Sequence, residues 1–133
     1  MIKRIEPGPG QESVWDYPRP PRLEDCTNHI KIVARGLIIA ETHRAKRVLE
    51  TSHPPVYYLP PDDIRIDLLV GRSKQSWCEW KGKARYFDLH LDGEIITDCA
   101  WSYPRPTDAF ESIRGYLAFY PQLMDECLVD GEK

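Results

Sequence analysis

The sequence predicts a mainly β single domain of short antiparallel strands with one or two short helical turns. Three observations predict it. Proline fills 12 of 133 positions, about 9% against a usual ~5%; this argues against a helical bundle, because proline removes a helix donor and clashes with the preceding turn. Two pairs of strand-like runs flank two-residue turns, Arg35-Gly36 and Asp92-Gly93. Elsewhere the apolar runs are short and end at proline or glycine.

Residues 1–28 read as a proline-rich arm and residues 29–133 as the β domain. Pro7, Pro9, Pro18, Pro20 and Pro21 forbid a long helix in the arm. Trp15, Tyr17 and Leu23 are too apolar for a free tail, so the arm is expected to lie on the domain. His29 to Ala34 and Leu37 to Glu41 form the first hairpin. A two-residue turn pairs Ala34 with Leu37, Ile32 with Ile39 and Ile30 with Glu41. Glu41 then shares an apolar face and needs a cation, with Arg44 the nearest. His43 to Thr51 fits an amphipathic turn or a strand equally. Val56 to Leu59 is a short strand stopped by Pro60-Pro61, and Asp62-Asp63 cap a helical turn running on through Asp67 to Leu69.

Gly71 to Ser76 reads as a polar loop, Trp77 to Trp80 as a short strand, and Lys81-Gly82 as a turn or bulge. The second hairpin, Lys83 to Leu91 and Glu94 to Tyr103, has the clearest register: Leu91 faces Glu94, so Asp88 faces Thr97, Tyr86 faces Cys99 and Ala84 faces Trp101. One face is aliphatic, with Phe87, Leu89, Leu91 and Ile96; the other is aromatic with polar insertions, like a ligand-facing wall or a second packed layer. Thr107 to Ile113 suits a short helix and Gly115 to Tyr120 a strand. The Asp130-Gly131 turn after Cys127 to Val129 has no second strand behind it; this reads as a decorative turn or a cut in a longer chain.

Charge and cysteine content narrow the function. Net charge is −3 and pI about 5.8, so nucleic acid and membrane surfaces are not the expected partners. No apolar run is long enough to span a bilayer, no signal-peptide pattern opens the chain, and the expected address is the cytoplasm. Cys26, Cys78, Cys99 and Cys127 contain no Cys-x-x-Cys, so no metal and no cofactor are expected.

A six-residue phrase occurs twice. Trp15-Asp16-Tyr17-Pro18-Arg19-Pro20 returns as Trp101-Ser102-Tyr103-Pro104-Arg105-Pro106. Each copy sets two rings and a guanidinium beside prolines that stiffen the backbone, a combination that suits recognition. Around it, Arg44, Glu50, Tyr57, Lys81, Tyr86, Trp101 and Tyr103 form the candidate pocket. Arg44 and Lys81 would clamp a polar group, and the rings would stack a planar one. The competing reading makes Arg44 and Glu50 a structural ion pair, Lys81 an ordinary turn lysine, and Trp101 and Tyr103 core aromatics.

Four longer phrases carry a resemblance: Glu50 to Pro61, Cys78 to Tyr86, Ala100 to Tyr103, and Gly115-Tyr116 with Ala118 to Pro121. Together they resemble domain-of-unknown-function family 427, also catalogued under a nucleotidyltransferase-type domain name. The resemblance implies a small fold of strongly bent antiparallel sheets, similar to the β-tent group, and no established reaction. Zinc-holding β-tent proteins use two Cys-x-x-Cys pairs, which this chain lacks.

No catalytic residues are assigned. Nucleotidyl transfer needs paired carboxylates for Mg²⁺, and Asp62-Asp63 would point to opposite sides of an extended backbone. A P-loop, a G-x-G-x-x-G and a G-x-S-x-G are all absent. Cys78 has only distant histidines, and a cysteine in a strand is usually core. The expectation is a domain binding a small polar or aromatic molecule. The alternatives are an enzyme acting on a nucleotide-like or sugar-like substrate, and a protein-interaction module using the repeated phrases.

Overall fold

A computed structural model describes residues 22–50, 54–78 and 81–132. The first copy of the repeated phrase and most of the expected arm lie outside these residues. Among the described residues ten strands form three antiparallel sheets. The first sheet has the order β1 (Arg22–Cys26), β4 (Ala45–Leu49), β5 (Val56–Tyr58). The second runs β10 (Glu126–Val129), β2 (Ile30–Ala34), β3 (Leu37–Thr42). The third runs β6 (Leu69–Cys78), β7 (Gly82–Leu91), β8 (Glu94–Ser102), β9 (Leu117–Phe119). The helical segments among the described residues are short 3-10 turns, at Pro61–Asp63, Ile66–Leu68, Asp108–Ile113 and Pro121–Leu123. Among the described residues no helix is long and apolar enough to cross a membrane.

The strands bury two apolar clusters. One gathers Ile30, Ile39, Leu59, Leu89, Cys99 and Phe119. The other gathers Val48, Tyr58, Tyr103, Phe110, Ile113 and Ala118. Each fully buried leucine or isoleucine contributes about 1.5–3 kcal/mol relative to exposure. Leu59 joins the sheets directly: its N–H donates to the Leu117 carbonyl at 2.8 Å and its carbonyl accepts from Leu117 N–H at 2.9 Å. The third sheet is used on both faces. Ala84 and Tyr86 pack into the second cluster, while Phe87 and Leu89, beyond them on β7, belong to the first.

Both hairpin turns form where the sequence places them, with Ala34 paired to Leu37 and Leu91 to Glu94. The registers then slip. A bulge between Ile32 and Val33 pairs Ile30 with Thr42, not Glu41. Thr42 takes the buried position, and Glu41 turns outward to meet His29 Nε2 at 2.6 Å. Arg44 therefore does not neutralise Glu41; it binds Asp63, Nη2 to Oδ1 at 3.1 Å. In the second hairpin a bulge follows Leu89–Ile96, and the next pairs are Phe87–Ala100, Tyr86–Trp101 and Arg85–Ser102. Asp98 in that bulge takes φ 58°, and its N–H donates to Asp88 Oδ1 at 2.7 Å. The slip is two residues, so Tyr86 and Trp101 keep one face but become direct neighbours.

Four further differences follow from packing. The ambiguous stretch after His43 is strand β4, held between β1 and β5. The expected polar loop at Gly71 to Ser76 is part of β6, an edge strand whose side chains are mostly exposed. Asp62 and Asp63 sit inside the 3-10 turn and do not cap it by side chain. The Asp130-Gly131 turn closes the edge of the second sheet, since Asp130 Oδ1 accepts from His29 N–H at 2.7 Å and Val129 bridges Glu132.

Candidate functional site

On β5 the extended backbone sends Tyr57 and Tyr58 to opposite sides. Tyr57 lines a cavity of about 400 Å³. Tyr58 points inward and is 1% exposed. The cavity's walls come from β2, β5, β8, β9, β10 and the Pro54-Pro55 approach; Ile32, Tyr57, Leu59, Trp101, Phe119 and Cys127 line it. Every described lining residue is uncharged.

Trp101 forms the partition between this cavity and the buried aromatic cluster. Its indole Nε1–H donates to the Tyr58 hydroxyl at 3.2 Å. The Tyr58 ring stands edge-on to it at a centroid distance of 6.3 Å, and Tyr120 packs at 4.5 Å. The Tyr103 hydroxyl also bonds to Tyr58. Nearby, Tyr86 bonds to Ser76 Oγ at 2.6 Å and to Tyr120. The indole plane is thus held by a phenol and a ring before any ligand arrives.

Burial sets the protonation of this region. It pushes the phenols of Tyr58, Tyr103 and Tyr120 above their ordinary range. It also pushes the Cys127 thiol, in the cavity wall, up to about 11. All these groups are neutral at pH 7, and the described lining itself offers rings, a thiol and the Tyr57 hydroxyl rather than charge.

The seven residues singled out by sequence do not form one pocket. Tyr57 and Trp101 meet at the cavity. Tyr86 and Tyr103 lie with Trp101 in or against the second apolar cluster. Lys81 is 9% exposed, not an open turn lysine. Its ammonium lies 5.9 Å from the centroids of both Tyr103 and Phe110. Arg44 is exposed and tied to Asp63, whose carboxyl it holds below the usual range with help from Thr42. Glu50 is half-buried after β4 and does not pair with Arg44. Arg44, Glu50 and Lys81 are therefore absent from the described lining of the cavity, and the expected cationic clamp is not assembled there. Tyr58, Phe119, Tyr120 and Cys127 escaped the sequence reading; the Tyr57-Tyr58 pair was the one local signal, since neighbours on a strand must face opposite ways.

Fold and site together define a small all-β domain of three antiparallel sheets with a preformed aromatic pocket. The chain belongs to the family described as Domain of unknown function (DUF427), whose model matches residues 22–130. No curated protein matches the chain.

Proposed function

We propose that the domain binds a small, uncharged, ring-bearing molecule in the pocket walled by Tyr57 and Trp101. The observation that carries this reading is the held indole: Trp101 borders a cavity of about 400 Å³ while Tyr58 and Tyr120 fix its plane. That volume lies in the range of small-molecule sites, about 300–1,000 Å³. An uncharged lining disfavours an ionic ligand, because a buried charge without a partner is costly. The reading is of a binder rather than a catalyst. The described lining holds no carboxylate, imidazole or ammonium to move a proton. Cys127, pushed up to about 11, is not a thiolate nucleophile at neutral pH. The four free cysteines suit a reducing compartment such as the cytoplasm.

The test is a thermal-shift screen of neutral aromatic and aliphatic ring compounds, followed by alkylation of Cys127 read by mass spectrometry. A bound compound raises the melting temperature saturably and slows labelling of Cys127. Trp101→Phe keeps the fold and weakens both effects. If no neutral ring compound stabilises the protein, or if stabilising compounds leave Cys127 labelling unchanged, the reading fails.

A further inference from the structure

We infer that the domain carries a second ligand site, a basic cleft beside β7 of the third sheet that takes the phosphate of a ring-bearing phosphate monoester. The cleft has a volume of about 210 Å³ and is lined by Gln75, Lys83, Ala84, Arg85, Pro104 and Arg105. It shares no described lining residue with the pocket above.

Charge distribution is the first argument. The chain is acidic overall, with 21 Asp and Glu against 18 Lys and Arg. Among the described residues nine cations sit in ion pairs: Arg22, Arg35, Arg44, Lys46, Arg47, Arg65, Arg72, Lys74 and Arg114. Lys83, Arg85 and Arg105 are in no described ion pair, yet all three line one cleft whose described lining has no carboxylate. Three like charges held together without a counter-charge cost free energy that a bound dianion recovers.

Placement is the second argument. Lys83 and Arg85 alternate on β7 and so share a face. The Arg85 guanidinium lies 5.4 Å from the Phe87 ring centroid and against Gly71, where a Cβ would collide with Nη2. Arg105 is set by its loop: Gly82 bridges Pro106, Thr107 N–H donates to the Lys81 carbonyl at 3.0 Å, and a Cβ on Gly82 would lie 3.3 Å from the Arg105 carbonyl. Trp77 supplies the ring contact. It pairs with Lys83 across the β6–β7 ladder, so both share a face, and it is 73% exposed. An exposed indole beside grouped cations is the pairing that stacks a planar ring while its phosphate is held.

The experiment is calorimetric titration of the full chain with phenyl phosphate, inorganic phosphate, benzoate and phenol at low and physiological salt. Phenyl phosphate binds saturably, more tightly than phosphate or benzoate, and loses affinity as salt rises. Lys83→Ala/Arg105→Ala abolishes this binding with an unchanged melting temperature, since both residues are exposed and in no described ion pair. Trp77→Ala retains phosphate but weakens phenyl phosphate by at least about fivefold. Arg65→Ala, an exposed cation paired with Asp67 away from the cleft lining, changes nothing. Absence of saturable binding at low salt, retention by the double variant, or equal affinity for benzoate overturns the phosphate site. Unchanged phenyl phosphate affinity in Trp77→Ala overturns the stacking ring.

Discussion

Replacing Tyr58 by Phe removes one oxygen and keeps the ring, so it isolates the bond that holds the pocket wall. Tyr58 is 1% exposed, and its hydroxyl accepts from Trp101 Nε1 at 3.2 Å and bonds to Tyr103. The variant opens almost no cavity, so the cost is that of leaving the partners unsatisfied. For buried polar groups this is about 1–3 kcal/mol. Trp101 is only half-buried and water can reach part of it, so about 2 kcal/mol is a fair middle value. With an unfolding entropy of about 2.1 cal/mol/K per residue, 133 residues give about 0.28 kcal/mol/K, and the melting temperature falls by about 7 °C. Differential scanning calorimetry measures this directly. The double-mutant cycle with Trp101→Phe then isolates the pair, whose coupling is about 0.5–3 kcal/mol. A fall of less than about 2 °C, the scale of a surface substitution, refutes the claim that this hydroxyl fixes the indole.

Two further outcomes follow from the buried groups. Lys81→Ala removes the stem packed at 9% exposure and an ammonium above two rings; the melting temperature falls by about 4–7 °C, from about 1–2 kcal/mol. Lys81→Met recovers part of this by restoring the stem, and an unchanged melt for the alanine variant would show that the ammonium and stem contribute nothing. Stability also falls in alkali. Burial pushes Cys99 and Cys127 from 9.0 up to about 11 and raises Tyr58 and Tyr103 above 10.0. The folded state then holds protons that the unfolded chain releases. The associated stability is fully present below pH 9 and is lost as pH rises through 9 to 11, the tyrosines continuing the loss above 10. Melting temperatures flat to pH 11 would contradict the burial of these groups.

The turns were legible in the sequence because each has a local chemical cause, a glycine able to take positive φ. The registers beyond them were not. A bulge adds one or two backbone residues to one strand without a fixed sequence signature, and Asp98 at φ 58° leaves no compositional mark, since aspartate tolerates that region better than most residues. Strand β6 was hidden for another reason. It is an edge strand exposed on most of its length, so apolar alternation never forms. The candidate site was half legible. Trp101 was visible through its repeated phrase, and Tyr57 through the aromatic run before Pro60. The clamp was not, because each charge found a nearer solution: Arg44 met Asp63, and Lys81 folded over two rings. The repeated phrase itself divides between faces. Trp101 and Tyr103 turn toward the aromatic interior, while Pro104 and Arg105 rim the basic cleft.

Gly71→Ala tests whether the fold was shaped to seat Arg85. Gly71 pairs with Phe87 just before the β6–β7 register shifts, and its backbone is not in the positive-φ region. Alanine therefore suits the backbone and, by restricting the unfolded chain, adds about 0.4–1 kcal/mol. The new Cβ would collide with Arg85 Nη2, but that atom is the end of a flexible side chain, so the guanidinium moves rather than the sheet. The melting temperature holds or rises by about 1–4 °C. Phenyl phosphate affinity falls, because a displaced fork no longer meets the oxyanion at its preset place. A strand merely lacking room would give the opposite pattern, a lower melting temperature with unchanged affinity. Only a glycine that makes space for Arg85 separates the two readouts, stability kept and the anion lost.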